Sequence, residues 1–248
     1  MQNQQPSTLK EIRVHGTQDF PCAFYQTGTR IKGNMVKHHW HEEVELLYFS
    51  GGEFCLEVNM ERFNISEECF YVINPGELHS ISVEKNGGCV ENAVVFHMDM
   101  LSSAYALDQI QTNLIQPVQN GSIQFPRCLR KNEPAFEPVR KSYEEIRNVF
   151  GGDSFRENYY DGEAVTDDIT RQLFIKSALL RILAVLSANN LFEVTEKNHD
   201  HRIETIKTTL TYIQENYKEK IYIRDLAGLI GMNEQYFCRF FKKVIGRS

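Results

Sequence analysis

The stretch GNMVKHHWHEEVELLYFSGG, residues 33–52, decides how the fold of this chain is interpreted. Apolar and polar residues alternate along it in short runs, and Gly51 and Gly52 follow where a turn is needed. Alternation with a period of two is typical of strands with one buried face, and paired glycines are typical of hairpin turns. The stretch therefore predicts two neighbouring antiparallel strands.

The same pattern extends through residues 20–98, where the segments SGGE, SEE, NPGE and KNGG separate further short runs. Six strands are predicted in this region: Gly33–His39, Val44–Phe49, Phe54–Asn59, Phe70–Ile73, His79–Val83 and Val90–His97. Short strands at regular spacing with turn residues between them predict an antiparallel β-sandwich or barrel.

After Met98 the pattern becomes helical. Pro138 suits the first turn of a helix, and apolar residues follow it at helical spacing as far as Phe150. A second helix is predicted over Ile169–Ala188. These helices could cover the barrel or pair with another subunit, and the residues leave both alternatives open. A third helix, Arg202–Tyr217, begins after an exposed polar linker.

The C-terminal segment IRDLAGLIGMNEQYFCRFFKKVIGRS, residues 223–248, has the pattern of a helix-turn-helix. Ala227 stands where two helices would cross closely, and Gly231 stands at the turn. Asn233 is a candidate N-cap for the second helix. On that helix Gln235 and Arg239 fall opposite the apolar face, as does Lys242, with Lys243 and Arg247 nearby for phosphates. Such a face suits the DNA major groove, and the alternative is a helical hairpin with an ordinary solvated face.

This segment resembles the first helix-turn-helix of the AraC/XylS family of bacterial transcription regulators. The matching residues are Arg239, Phe240, Phe241, Lys242, Lys243 and Gly246. The resemblance implies that Gln235, Cys238 and Arg239 face the bases. It also implies a second helix-turn-helix after the first, but the sequence ends at Ser248, just after the first. We therefore expect weak DNA binding by this chain, because fewer phosphates are contacted.

The resemblance extends to an N-terminal cupin-like barrel. The spacing of the first cupin motif is present in Gly33, His39, His41, Glu45 and Gly52. The second motif is only partly present, because Gly76 and His79 remain while its opening glycine, its proline and its closing asparagine are replaced.

His39 and His41 lie two residues apart and so face one side of a strand, where Glu45 and His79 can meet them inside a barrel. Three imidazoles and a carboxylate suit a divalent ion such as Zn, Ni, Mn or Fe(II). The alternative is a polar effector pocket without metal, in which Tyr48 and Phe70 are further candidates. We expect His38 on the surface, Trp40 against the later helices, and His97 in a structural role.

The composition of the 248 residues restricts the function further. The net charge is −6, but residues 200–248 carry nine Lys or Arg against six Asp or Glu, so the C-terminal end alone suits a polyanion. No apolar run reaches membrane-span length and the N-terminus lacks signal-peptide character, which predicts a cytoplasmic protein without a membrane partner. The six cysteines form no CxxC pair, so a cysteine zinc site is not predicted.

These features predict an α+β protein with three parts: a cupin-like sensor barrel over residues 1–130, a helical dimerisation region over 131–195, and one helix-turn-helix over 200–248. We expect a homodimeric transcription regulator, not an enzyme, that binds promoter DNA and a small-molecule effector such as a sugar or related metabolite. Two alternatives stay open. One is a cupin metalloenzyme of the dioxygenase or isomerase type whose helices serve dimerisation, and the other is a regulator that responds only to a protein partner.

Overall fold

A computed structural model of the chain describes residues 9–29, 32–85, 89–105, 107–151, 160–161, 168–195 and 201–245. It has an α+β architecture, with β-sheets in the N-terminal half and the long helices after them. The predicted fold class is therefore confirmed.

Two larger sheets build the N-terminal part. The six-stranded sheet has the order β10-β6-β3-β8-β1-β11, and the four-stranded sheet has the order β2-β7-β4-β5. The strands of these sheets are β1 Cys22–Thr29, β2 Gly33–His39, β3 Val44–Phe49, β4 Phe54–Val58, β5 Glu61–Ile65, β6 Cys69–Ile73, β7 His79–Val83, β8 Cys89–Phe96, β10 Cys128–Arg130 and β11 Tyr160–Asp161. A small separate pair joins β9, Ile123–Gln124, to β12, Glu193–Val194.

The sheets face each other across an apolar core, as a barrel requires. Leu47 and Phe49 of β3 meet Leu56 of β4 and Ile81 of β7 in this core, and all four are buried. The opposite face of β3 carries Val44 and Leu46 into a second core beneath the helices. Strand β3, inside the six-stranded sheet, therefore packs against a core on each face.

The helices follow the sheets along the chain. They are α1 Gln116–Gln119, α2 Phe136–Val149, α3 Ile169–Ala188, α4 His201–Asn216, α5 Ile223–Leu229 and α6 Glu234–Ile245, with a 3₁₀ turn at Met98–Leu101 and a π turn at Gln111–Ile115. Helices α2 and α3 cover the outer face of the six-stranded sheet. The Asp168 carboxylate begins α3 by accepting from the backbone N–H groups of Thr170 and Arg171, at 2.9 and 3.2 Å.

Most of the predicted elements agree with the structure. Three strands and α3 have the predicted bounds, two other predicted strands differ by one residue at one end, and β8 differs by one residue at both ends. Within residues 20–98, two of the described strands, β1 and β5, were not predicted, and neither were the short strands β9 to β12 that follow. The first four residues of β1 are all buried, so they show no alternation, and β5 is a short edge strand with mostly exposed side chains.

The C-terminal helices have the predicted turn chemistry. Gly231 has a φ of +66°, which the turn between α5 and α6 requires, and the Asn233 side chain accepts from the backbone N–H of Tyr236 at 2.9 Å. Leu226, Ala227 and Phe237 form the buried centre of this unit. Across the described residues, no helix is long and apolar enough to cross a membrane.

The first of these helices, α4, also packs against the barrel. Ile206 of α4 is fully buried against Leu9 and Leu78. The ammonium of Lys207 lies 4.7 Å from the centre of the Trp40 ring and donates to the Gly76 carbonyl. The prediction that Trp40 packs against later helices is confirmed.

The two faces of α3 give a stability prediction. Ile182 is 4% exposed and packs beneath the sheet, whereas Leu180 is 43% exposed. We expect Ile182→Ala to lower the free energy of unfolding by about 2–5 kcal/mol, because it leaves a cavity. Val194→Ala, at a β12 side chain that is 84% exposed, is the control and should change it by only about 0.5 kcal/mol. Urea unfolding followed by circular dichroism measures both, and equal midpoints for the two variants would contradict this packing.

Candidate functional site

The candidate site lies at one end of the barrel, where the two sheets come together. His39 of β2 is directly opposite His79 of β7 in the four-stranded sheet. His41 lies in the connection between β2 and β3, and Glu45 projects inward from β3. The structure thus brings together the four residues that the sequence indicated, and it takes them from both sheets.

The three histidines form one cluster. Each of His39, His41 and His79 places a ring nitrogen within 4.8 Å of a ring nitrogen of the others. The ring centres of His39 and His79 are 4.2 Å apart, and those of His41 and His79 are 5.1 Å apart. His41 and His79 are 3% and 1% exposed, so the cluster is largely shielded from solvent.

Backbone carbonyls orient all three rings. The Nδ1 atoms lie 2.8 Å from the Lys37 carbonyl for His39, 3.1 Å from the Glu43 carbonyl for His41 and 2.9 Å from the Glu77 carbonyl for His79. A carbonyl can only accept, so each Nδ1 must carry the proton. In the neutral rings the Nε2 lone pairs are then free for a ligand, an orientation typical of metal-binding histidines.

Glu45 brings a further acceptor to the same point. Its Oε2 atom lies 3.0 Å from His79 Nε2 and 3.5 Å from His41 Nε2. Burial opposes the charged forms, yet contact with His41 and His79 holds the pKa of Glu45 well below its usual value, and Glu45 raises the pKa of His41. Neither Glu45 Oε2 nor His79 Nε2 has another hydrogen-bond partner, so a proton or a metal cation between the two atoms would satisfy both.

His39 has a different electrostatic environment. Burial and the neighbouring His79 lower its pKa to about 4, so the ring is neutral at neutral pH. Its Nε2 atom lies 3.3 Å from the Glu11 carboxylate, which also approaches His15 Nε2 at 3.5 Å. The Nδ1 atom of His15 lies 2.8 Å from the Tyr25 hydroxyl.

Sequence reasoning missed this contribution from the N-terminal segment. Glu11, Arg13 and His15 alternate with Ile12 and Val14, and this pattern in EIRVH was the available signal for an extended segment with one polar face. No element was predicted for this segment, and in the structure it is not part of a strand.

The site opens into a cavity of about 480 Å³. Its lining comprises Glu11, Ile12, Arg13, His15, Tyr25, Thr27, Met35, Val36, Lys37, His38, His39, His41, Glu45, Glu91, Ala93 and Val95. This volume suits a small organic molecule.

Tyr48 and Phe70, proposed from sequence as pocket neighbours, lie outside this cavity. Tyr48 is three residues after Glu45 on β3 and so faces the opposite side of the sheet. There its ring packs 4.8 Å from Phe70 and 5.3 Å from Tyr143 of α2, and its hydroxyl donates to Glu68 at 2.6 Å. The interpretation of Tyr48 as a pocket residue is corrected accordingly.

The remaining histidines have separate roles. His38 is exposed, as expected, and its Nε2 atom lies 3.2 Å from a Glu57 carboxylate oxygen. His97 begins the 3₁₀ turn, where its Nδ1 atom accepts from the backbone N–H of Asp99 at 3.2 Å. The structural role expected for His97 thus has a specific partner.

Comparison with known proteins places this barrel in a family. Residues 27–148 match the AraC-like ligand-binding domain. The chain is also 25% identical over 248 residues to the uncharacterized HTH-type transcriptional regulator YdeC of Bacillus subtilis, covering 97% of this chain and 77% of that protein. The chain belongs to the AraC/XylS family. It is a transcription regulator of the AraC type with a ligand-binding domain.

Two solved structures are similar to this AraC-type chain at low scores. An apo ToxT variant from Vibrio cholerae is 10% identical, with 94% of this chain and 78% of that chain covered and a TM-score of 0.42. A predicted oxalate decarboxylase from Thermotoga maritima is 24% identical, with 30% and 67% covered and a TM-score of 0.29. Both scores are below 0.5, so neither structure supports a functional conclusion.

The outer face of α6 carries most of the residues that the sequence indicated for contact with DNA. Gln235, Cys238, Arg239 and Lys242 are all exposed there, while Phe237 is buried against α5. The guanidinium of Arg239 makes a 3.4 Å contact with the Gln235 carbonyl. The side chain of Lys243 and all of Arg247 lie outside the described residues.

The carbonyl contacts give a prediction for the imidazole tautomers. In protein treated with a chelator at neutral pH, we expect His39 and His79 to carry their proton on Nδ1, because each Nδ1 meets a carbonyl. Long-range ¹⁵N NMR of the ring nitrogens distinguishes the tautomers. His38 is the internal control and should carry its proton on Nε2, facing Glu57. Protons on Nε2 of His39 and His79 would contradict the assigned orientation.

Proposed function

We propose that this regulator binds a small-molecule effector in the barrel cavity and binds promoter DNA through α5 and α6. The observation that carries the proposal is the presence, in one AraC-type chain, of a cavity with converging polar groups and an exposed helix face bearing Gln235, Arg239 and Lys242. Cavities of this kind bind small molecules, and Gln and Arg on a recognition helix can read base edges. DNA binding would take place in the cytoplasm.

The sensor interpretation is favoured over the cupin metalloenzyme because the same chain carries both units and its curated relative is named a regulator. The metalloenzyme interpretation explains the histidines, but it assigns no purpose to the polar outer face of α6. A response to a protein partner alone would leave the cavity without a role.

Contact between the barrel and α4 supports a route for coupling. Trp40 lies between His39 and His41 in sequence, and Leu78 precedes His79. These same residues pack against Ile206 and Lys207 of α4. An effector that changes the histidine cluster would act on the surface that holds the DNA-binding unit, provided that it favours one arrangement over the other.

The proposed organisation keeps the three parts, residues 1–130, 131–195 and 200–248. Dimerisation is assigned to the outer face of α3. Four large apolar side chains are exposed along this helix: Ile169, Leu173, Phe174 and Leu180. A cluster of exposed apolar residues on one helix is typical of a subunit interface. A homodimer would place two recognition helices on one DNA duplex.

The histidine cluster also fits a divalent metal ion. The unpartnered Nε2 of His79 and Oε2 of Glu45 are buried acceptors that face each other, which a cation would satisfy. His39, His41, Glu45 and His79 would hold the ion, with Zn, Ni, Mn and Fe(II) as suitable candidates. The bound ion would supply a Lewis-acidic position that can bind an oxygen of the effector.

DNA binding is tested on a duplex from the region upstream of the gene, at low ionic strength. We expect Arg239→Ala to weaken binding by about 1–3 kcal/mol, because it removes a base-reading side chain. Arg62→Ala removes the same charge from β5 on the barrel and serves as the control, with an affinity close to that of the wild type. Fluorescence anisotropy gives the affinities. Equal binding by the wild type and Arg239→Ala would contradict the assignment of α6.

Metal binding is tested by equilibrium dialysis against Zn, Ni, Mn and Fe(II) separately, with elemental analysis of the protein. We expect about one ion per chain for the preferred metal. His79→Ala should weaken binding by more than about 10-fold, the smallest loss expected when a ligand's orientation alone is disturbed. His38→Ala is the matched control, because His38 points away to Glu57. A similar loss in both variants, or no bound ion in the wild type, would contradict the metal centre.

A further inference from the structure

The cavity contains a second polar position, away from the histidine cluster. Glu91 lines the cavity and is 2% exposed. Its Oε1 atom has no hydrogen-bond partner. A buried carboxyl oxygen without a donor is costly, and such an atom facing a cavity indicates that a ligand supplies the donor.

The strand register separates Glu91 from the metal-binding end. Glu45 pairs with Val95 across β3 and β8, whereas Glu91 lies four residues earlier on β8, opposite Phe49. Four residues of extended strand span about 13 Å. Ala93 and Val95 of β8 line the cavity between the two positions, together with Met35. The cavity therefore has two polar ends and an apolar wall between them.

The electrostatic environment of Glu91 indicates what kind of hydrogen-bond donor a ligand would bring to its carboxyl group. Burial raises the pKa of Glu91 well above its usual value, and the negative charge of Glu45 adds to this effect. Among the described residues, no lysine or arginine forms an ion pair with Glu91. Of the cavity's two basic side chains, Arg13 lies 4.9 Å over the Tyr25 ring and Lys37 is exposed on β2.

We propose that Glu91 is the binding group for an amine, and that the effector of this regulator is a small molecule with an amino group. An ammonium supplies both an N–H donor for Glu91 and a positive charge to balance its carboxylate. On binding, the Glu91 carboxyl releases its proton to water and the carboxylate pairs with the ammonium, so charge balances. The proposal rests on the proposed function only in that the cavity is taken to hold the effector.

The experiment uses the full chain, labelled with ¹³C at the glutamate carboxyl groups and titrated with n-butylammonium, 1-butanol or butyrate. The Glu91 signal is assigned by its loss in Glu91→Gln. We expect n-butylammonium to bind with a dissociation constant of about 1 mM. The Glu91 signal should move to its ionised position. Butanol should bind at least about tenfold more weakly, which is about 1.4 kcal/mol.

Two variants separate this site from general effects of charge. Glu91→Gln keeps the size of the side chain but cannot ionise, and it should remove the preference for the amine over the alcohol. Glu61→Gln, on the exposed strand β5, removes one carboxyl and should keep that preference. If Glu91→Gln fails to fold, Glu91→Asp, which keeps a carboxyl at this position but lacks the glutamate label, assigns the wild-type signal by the same loss.

The proposal is overturned if butanol or butyrate binds as tightly as the amine, if the amine shows no saturable binding, or if the Glu91 signal stays unchanged at saturation. These outcomes are distinct from failure of the proposed function. A chain that binds the amine but shows no effect of Arg239→Ala on DNA binding would keep the Glu91 site and lose the assignment of α6 to DNA binding.

Discussion

Hydrogen bonding of β3 on both sides is the constraint on which the rest of this structure depends. β3 pairs with β6 and with β8, so its side chains can point only into the barrel or towards the helices. Leu46 enters the core beneath α3, whereas Glu45 and Leu47 enter the barrel. Shifting this register by one residue would exchange the two sets and place the Glu45 carboxylate beneath the helices, so the same pairing fixes both cores and the candidate site.

The parts of the fold and site that the sequence could predict are those set by local pattern. Alternation gave the bounds of β3, counting by two placed His39 and His41 on one side, and the barrel fold was expected to bring Glu45 to them. The same counting, applied consistently, would have placed Tyr48 on the other side. Contacts between distant segments were not predictable in this way. Glu11 meets His39 only because residues 9–11 pair with the Trp40 backbone, and nothing near Glu11 in sequence indicates that partner.

The helix-turn-helix shows the same division between local and distant information. The roles of Gly231 and Asn233 can be predicted from one short segment, because a turn glycine and an N-cap depend on neighbours within four residues. The attachment of α4 to the barrel depends on a lysine and a carbonyl that are 131 positions apart, Lys207 and Gly76. The sequence supplied the prediction that Trp40 meets a later helix, but the identity of that helix required the structure.

The N-terminal segment joins the site to α4 through very few residues. The Trp40 N–H donates to the Leu9 carbonyl at 2.8 Å, and the Glu11 N–H donates to the Trp40 carbonyl at 2.9 Å. Leu9 packs against Ile206 of α4, while Glu11, two residues later, approaches His39 at 3.3 Å. A cation at the cluster would attract the Glu11 carboxylate, and an anion there would repel it. Because Leu9 and Glu11 are both hydrogen-bonded to the Trp40 backbone, a shift of the backbone at Glu11 would alter the packing of Leu9 on α4.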